Sequence, residues 1–172
     1  MMNLPNLLTI LRIILVPIFL FLIISNYLYL SVAVFALAGF TDLIDGIIAR
    51  KMGTVTQFGK NLDPVADKLL LSSAFVVLAF KGLIPLWLAV MVVARDSIMI
   101  TTVLILKRIQ HNVNTTPMIL GKLTTLFQVI SVLVALLFQK FYGAHLLYII
   151  TAIITVLGAS QYILRELRGK RA

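Results

Sequence analysis

The stretch that decides the fold and the chemistry of this chain runs from residue 42 to residue 67 and reads DLIDGIIARKMGTVTQFGKNLDPVAD. It holds four of the six acidic residues of the chain, Asp42, Asp45, Asp63 and Asp67, in a sequence that is otherwise largely hydrocarbon. Carboxylates in such surroundings are costly to desolvate and require a compensating cation. Ionisable groups within membrane segments therefore mark a candidate functional site.

The composition around this stretch is that of an integral membrane protein. Of the 172 residues, 61% are apolar and the mean hydropathy is +1.08, which excludes an ordinary soluble domain. The length allows about six spans of roughly 20 residues, so we expect a single domain over residues 1–172. The chain has no cysteine, which excludes disulfides and thiolate metal sites. The first apolar stretch lacks a convincing cleavage site, so no signal peptide is expected.

Six apolar segments are predicted to be transmembrane α-helices, because lipid offers unpaired backbone groups no partner. They run over Leu7–Ile24, Tyr27–Ala49, Leu62–Phe80, Leu83–Leu106, Met118–Phe138 and Gly143–Leu164. The fold class expected is therefore an all-α integral membrane protein with six transmembrane helices. Short connections imply that consecutive helices are antiparallel neighbours.

Lysine and arginine are distributed unevenly between the two sets of connections. The side that carries both termini has nine, and the other side has Lys81 and Lys140. The nine are Arg50, Lys51, Lys60, Lys107, Arg108, Arg165, Arg168, Lys170 and Arg171. The positive-inside rule places both termini and the aspartate stretch on the cytoplasmic side of the cell (inner) membrane. We assign the formal net charge of +9 to contact with anionic lipids and not to nucleic acid.

The spacing of the aspartates predicts a metal site. Asp42 and Asp45 are three residues apart, and Asp63 and Asp67 are four apart, so each pair shares one face of a helix. Four carboxylates directed at one space suit Mg²⁺ or Mn²⁺ and suffice for two ions. Two such ions can stabilise the attacking and leaving oxygens of phosphoryl transfer. The simpler alternative is ion pairing, which serves for one aspartate but not for four together. The cations available for such pairing are Arg50, Lys68 and Arg95.

Small residues accompany the aspartates. Gly46 and Ala49 remove bulk beside the carboxylates, which lets a phosphorylated ligand approach the backbone. Arg50 offers a planar fork for phosphate oxygens. Asp63 precedes Pro64, an order that fits the capped start of a helix.

The pattern Asp-x2-Asp-Gly-x2-Ala-Arg-x8-Gly-x3-Asp-x3-Asp resembles the signature of the CDP-alcohol phosphotransferases, and all eight signature positions are present. The resemblance implies that the four aspartates hold two divalent cations, Mg²⁺ or Mn²⁺. It implies that Gly46, Ala49, Arg50 and Gly59 line the pocket for the cytidine diphosphate of CDP-diacylglycerol. Asp67 would also be the base that deprotonates the acceptor hydroxyl, which attacks the phosphorus attached to the lipid and releases CMP. Members of the family are commonly homodimers.

The identity of the alcohol that accepts the phosphatidyl group is the least determined part of the expected reaction. Residues 3–12, with Asn-Leu-Pro-Asn followed by Thr-x2-Arg, resemble the branch that uses glycerol-type acceptors. Arg95 and Lys122 are candidate contacts for the phosphate of the acceptor. An enzyme of this branch that binds glycerol 3-phosphate is expected to carry an arginine and a lysine where this chain has Val103 and Thr124. The absence of these two cations favours phosphatidylglycerol as the acceptor. Glycerol 3-phosphate is the alternative acceptor if Arg95 and Lys122 suffice to bind its phosphate.

Two other classes of protein stay open at this point. An intramembrane prenyltransferase would also bind a diphosphate through aspartates and Mg²⁺, although the small chain and the Gly and Ala-Arg positions speak against it. A cation carrier could use the aspartates as an ion path. A carrier is expected to show broken helices or repeated halves, and the sequence shows neither pattern.

Overall fold

A computed structural model shows a chain built from α-helices. Residues 4–52, 57–109, 119–139 and 143–169 are described, with side chains for 10–41, 68–101, 119–139 and 143–161. The helices are α1 (Leu4–Ile24), α2 (Leu28–Met52), α3 (Gln57–Phe80), α4 (Leu86–Ile109), α5 (Ile119–Leu137) and α6 (Ala144–Gly169). Each apolar segment predicted from the sequence corresponds to one helix, so the all-α prediction is confirmed.

Several helices extend beyond the apolar segments, and the extensions include the aspartate stretch. Helix α2 ends at Met52, and α3 begins at Gln57. The expectation that a helix begins at Asp63 and Pro64 is therefore wrong, since Pro64 is the eighth residue of α3. Hydropathy marks only the apolar part of a helix, whereas Gln, Lys, Arg and Met also favour helical backbone. A proline inside a membrane helix is tolerated where neighbouring groups satisfy the carbonyl it leaves unbonded.

The helices differ in how much uninterrupted apolar length they provide. Among the described residues, Ile119–Leu137 and Ala144–Gln161 are long and apolar enough to cross a membrane. Shorter apolar helical stretches cover Ile10–Ile24, Leu28–Thr41 and Lys68–Phe80. The helical class is thus established, while six spans and cytoplasmic termini stay predictions.

The distribution of polarity over the described side chains is inverted relative to a soluble protein. Phe21, Phe40 and Phe80 are between 61% and 84% exposed, whereas Arg12 and Gln128 are 0% exposed. Soluble proteins rarely bury an arginine or expose many large apolar side chains together. A chain surrounded by lipid places apolar groups outside and polar groups within. The inversion therefore agrees with an integral membrane protein.

The chain divides into two compact units, Met1–Lys81 and Gly82–Ala172. In the first unit, α1 packs against both α2 and α3. The rings of Phe19 in α1 and Phe35 in α2 lie with centroids 5.3 Å apart at a tilt of 32°, a favourable aromatic arrangement. Leu71 and Phe75 form the buried face of α3. That one domain spans residues 1–172 stays a prediction.

The turn after α1 is closed by a lysine from the end of α3. Asn26 has a φ of 63°, a left-handed conformation that asparagine tolerates better than most residues. The ammonium of Lys81 donates to the carbonyl of Ile24 at 2.7 Å and to Oδ1 of Asn26 at 2.8 Å. The lysine thereby satisfies a carbonyl at the C-terminal end of α1, which has no partner within its own helix.

In the second unit, α6 packs against α4 and α5. The contact between α5 and α6 is polar at its centre, where the hydroxyls of Ser131 and Thr151 lie 2.8 Å apart. Tyr148 donates its hydroxyl to the carbonyl of Leu83 at 3.1 Å, which ties α6 to the residues before α4. Hydrogen bonds between helices replace part of the hydrophobic driving force that lipid removes.

Candidate active site

The four aspartates lie on two helices that both pack against α1. Asp42 and Asp45 lie ten and seven residues before the end of α2, and Asp63 and Asp67 lie six and ten residues after the start of α3. At 1.5 Å of rise per residue, both pairs lie roughly 9–15 Å along the helix from the connection. A connection of four residues is typical of antiparallel helices. The two pairs thus lie at matching distances along their helices from the four residues between α2 and α3.

The positions predicted to line the nucleotide keep helical spacing. Gly46, Ala49 and Arg50 lie in α2, and Gly59 is the third residue of α3. Since α2 is helical through this stretch, Gly46 and Arg50 are one turn apart, as the sequence predicts. The side chains of these residues and of the four aspartates lie outside the described residues, so their assigned roles stay predictions.

The aspartate stretch continues directly from packed parts of α2 and α3. Thr41 precedes it, is 7% exposed, and donates its hydroxyl to the carbonyl of Ala38 at 2.8 Å. On α3, Leu70 and Leu71 are buried, three and four residues beyond the stretch. Both helices are thus fixed by buried side chains next to the predicted metal site, which favours a rigid position for it.

The second unit contains a buried ion pair. Nη1 of Arg95 in α4 donates to Oδ1 of Asp96 at 2.7 Å, and the two side chains are only 5% and 2% exposed. Arg95 was predicted to contact the phosphate of the acceptor. The structure shows that its guanidinium already has a carboxylate partner from the adjacent residue.

The two predicted acceptor contacts differ in their surroundings. Lys122, near the start of α5, is exposed, whereas Arg95 is buried. Thr124 of α5 and Arg95 both lie close to Gly158 of α6. A Cβ at position 158 would lie 2.8 Å from Oγ1 of Thr124 and 4.0 Å from Nη2 of Arg95. One of the two positions at which the sequence lacks an expected cation is thus beside Arg95, while the side chain of Val103 lies outside the described residues.

Gln128 is a polar residue for which sequence reasoning supplied no role. It lies one turn beyond Thr124 in α5 and is fully buried. Among the described residues, both polar atoms of its side chain lack a hydrogen-bond partner, as does Nε of Arg95. A glutamine in an apolar helix was visible in the sequence, but its burial and unmet hydrogen bonds could not be read from it.

A model of the family described as CDP-alcohol phosphatidyltransferase matches residues 2–159. The chain belongs to this family. A CDP-diacylglycerol–glycerol-3-phosphate 3-phosphatidyltransferase of Bacillus subtilis is 36% identical over 152 residues, which cover 80% of this chain and 78% of that protein. A probable phosphatidylglycerophosphate synthase of Mycobacterium tuberculosis is 35% identical over 175 residues, which cover 96% and 82%. Human cardiolipin synthase (CMP-forming) is 43% identical over 102 residues, which cover 59% and 34%.

As a CDP-alcohol phosphatidyltransferase, the chain is a transferase of phospholipid biosynthesis. This confirms the transferase prediction over the prenyltransferase and the cation carrier. Enzymes of the family generally use a divalent metal. The relatives are named for both acceptors that the sequence left open, so the family alone does not decide between them.

Proposed function

We propose that this chain transfers the phosphatidyl group of CDP-diacylglycerol to a hydroxyl of phosphatidylglycerol, with cardiolipin and CMP as products. The observation that carries the choice of acceptor is the buried pair of Arg95 and Asp96, 2.7 Å apart. Opposite charges cancel within the pair, and the α5 side chain that lies with Arg95 near Gly158 is the hydroxyl of Thr124. A phosphodiester brings one negative charge here, whereas a phosphomonoester brings close to two. Burying the additional unpaired charge is costly.

On the donor side, we propose that Asp42, Asp45, Asp63 and Asp67 hold two divalent cations, Mg²⁺ or Mn²⁺. The donor set fits, because carboxylate oxygens are the ligands that these ions prefer, and the two pairs lie at matching distances from the end of α2 and the start of α3. When bound, the metals supply positive charge to the oxygens of the phosphoryl group being transferred. Arg50 would add a planar fork for the same phosphates. The small residues Gly46, Ala49 and Gly59 leave room for the cytidine diphosphate.

The proposed reaction is a single displacement at phosphorus. Asp67 accepts the proton of the acceptor hydroxyl, and the hydroxyl oxygen forms a bond to the phosphorus that bears the diacylglycerol. The bond from that phosphorus to the bridging oxygen of CMP breaks, and CMP leaves with the electron pair. A carboxylate can act as base here because it takes the proton as the oxygen becomes bonded to phosphorus.

We further propose that all six helices span the inner membrane, with both termini and the aspartates on the cytoplasmic side. We also propose that the protein is a homodimer. The nine-to-two asymmetry of lysine and arginine supports this orientation. The donor carries a soluble nucleotide head on a lipid, so a site at the cytoplasmic face can receive the head while the acyl chains stay in the bilayer. The basic residues on that face would contact anionic lipids.

Glycerol 3-phosphate is the second candidate acceptor. The relatives of B. subtilis and M. tuberculosis that are named for this acceptor match over 78% and 82% of their own lengths, whereas the match to human cardiolipin synthase covers 34% of that protein. In this case the free face of Arg95 and the exposed Lys122 would share the phosphate. One bidentate arginine already makes a strong phosphate contact.

The test measures CMP release from CDP-diacylglycerol with each acceptor, on one purified sample, with Mg²⁺ and with Mn²⁺. We expect phosphatidylglycerol to react faster and to yield cardiolipin by mass. Thr124→Lys places a cation beside Arg95 and should shift the preference toward glycerol 3-phosphate. Thr125→Lys, one position along the same helix, is the matched control and should leave the preference unchanged. Faster reaction with glycerol 3-phosphate in the parent chain would instead establish the second candidate.

A further inference from the structure

Gln128 differs from the other buried polar residues of α5 and α6 in having no hydrogen bonds for its side chain. Thr124 bonds to the carbonyls of Leu120 and Ile154 at 2.8 Å and 3.3 Å. Ser131 bonds to Thr151. The amide of Gln128 is 0% exposed, and within the described part of the chain neither its nitrogen nor its oxygen has a partner. Leaving such a group unpaired is expensive, so its presence requires an explanation.

The position of Gln128 points to the acceptor. It follows Thr124 by one helical turn, which puts the two side chains on one face of α5 about 5–6 Å apart at their Cβ atoms. Thr124 and Arg95 in turn both lie close to Gly158. The hydroxyl of Thr124 thus lies near both the guanidinium of Arg95 and the unpaired amide of Gln128, inside the second unit. The guanidinium is the group proposed above to contact the phosphate of the acceptor.

We propose that the amide of Gln128 binds the secondary hydroxyl of the glycerol in the acceptor. The assignment rests on the proposed function, but not on which acceptor is correct. Both candidates present the same fragment: a phosphate, a methylene, a carbon bearing the secondary hydroxyl, and the primary hydroxyl that reacts. An amide offers one acceptor and two donors, which complement a hydroxyl that both donates and accepts. With Arg95 on the phosphate, this contact fixes the orientation of the primary hydroxyl that reacts.

The burial of Gln128 should make the site selective for acceptors that carry the secondary hydroxyl. Because water does not reach the amide, an acceptor that enters and bonds to it supplies the hydrogen bonds that the amide otherwise lacks. An acceptor without the secondary hydroxyl leaves the amide unpaired. Sites built to bond a hydroxyl discriminate strongly against analogues that lack it, for this reason.

The test uses acceptors that lack only the secondary hydroxyl: phosphatidyl-1,3-propanediol in place of phosphatidylglycerol, and 3-hydroxypropyl phosphate in place of glycerol 3-phosphate. For the parent chain we expect kcat/KM to fall at least about tenfold with the analogue, the effect of one lost hydrogen bond in a buried site. In Gln128→Met, which keeps the length of the side chain but has no amide, both acceptors should react within about twofold of each other. The KM for CDP-diacylglycerol should not change.

Ser131→Ala serves as the matched control, since it removes a buried polar group on the same helix that has a partner in Thr151. It should keep the discrimination of the parent chain. Gln128→Met should also raise the midpoint of thermal unfolding by about 2–4 °C, because it removes an unpaired polar group. A purely structural glutamine would lower that midpoint and leave the ratio between acceptor and analogue at the parent value, which would overturn the assignment. If the parent chain releases no CMP with any glycerol acceptor, the proposed function itself is wrong.

Discussion

Gly158 is the position where a single methyl group tests the packing of the second unit most directly. A Cβ there would lie 2.8 Å from Oγ1 of Thr124, closer than such contacts occur in proteins. Thr124 cannot easily move, because its hydroxyl is held by the carbonyls of Leu120 and Ile154 and a β-branched side chain has few rotamers. Gly158→Ala must therefore break these hydrogen bonds or push α6 away from α5.

The magnitude follows from comparison with a second glycine. A Cβ at Gly121, in α5, meets no atom within 4 Å in the described part of the chain. Both substitutions gain the same helix propensity, up to about 1 kcal/mol, so their difference isolates the clash. Overpacking of this kind costs about 1–3 kcal/mol. At about 2–4 °C per kcal/mol for a chain of this size, Gly158→Ala should unfold roughly 2–12 °C below Gly121→Ala.

The assay is thermal unfolding of both variants in the same detergent, followed by the fluorescence of Trp87, the only tryptophan of the chain. Acceptor kinetics are measured in parallel. Gly158→Ala should raise the KM for the acceptor, because Thr124 and Arg95 both lie beside the new methyl group. Equal midpoints for the two variants, together with an unchanged acceptor KM, would show that α5 and α6 are not packed as described.

Three further results are expected. Asp67→Asn should lower turnover more than tenfold, which corresponds to at least about 1.4 kcal/mol of barrier, while CDP-diacylglycerol still binds. Excess chelator should abolish the activity of the parent chain, and full activity in chelator would exclude a metal mechanism. Lys81→Met removes the two hydrogen bonds to the end of α1 and should cost about 1 kcal/mol after allowance for its partial exposure, measured by thermal unfolding. A cysteine at Gly169 should react with an impermeant reagent only from the cytoplasmic side, and one at the exposed Gln139 only from the opposite side; the reverse pattern would invert the topology.

Much of the fold could be predicted because hydropathy and helix formation coincide in lipid. The segment Met118–Phe138 was predicted within a residue of α5 (Ile119–Leu137) at each end, since its apolar length and its helical length are the same. The start of α3 was missed by five residues, because Gln57 to Asn61 are polar and hydropathy does not register a helix that leaves the apolar region. Pro64 added to this error, since a proline marks the start of a helix only when the preceding residues are not already helical.

The candidate site shows the same division between what spacing determines and what packing determines. The aspartate positions follow from intervals of three and four residues, and the continuous helices α2 and α3 preserve those intervals. The environment of Arg95 does not follow from spacing. Its partner is the adjacent Asp96, and the approach of Thr124 to Gly158 depends on how closely α6 packs against α5. The periodicity of residues within one helix does not predict how close that helix lies to another helix.

The pair of Arg95 and Asp96 shows why this information is absent from the sequence. Adjacent residues on a helix point about 100° apart and do not ordinarily face each other. A long arginine side chain can nevertheless bend to its neighbour when both are closed to water, because an unpaired charge there costs several kcal/mol. The 2.7 Å contact between them lowers that cost and also removes most of the positive charge that a phosphomonoester would need. The same feature that lets α4 carry an arginine in an apolar surrounding thus favours an acceptor with a single negative charge.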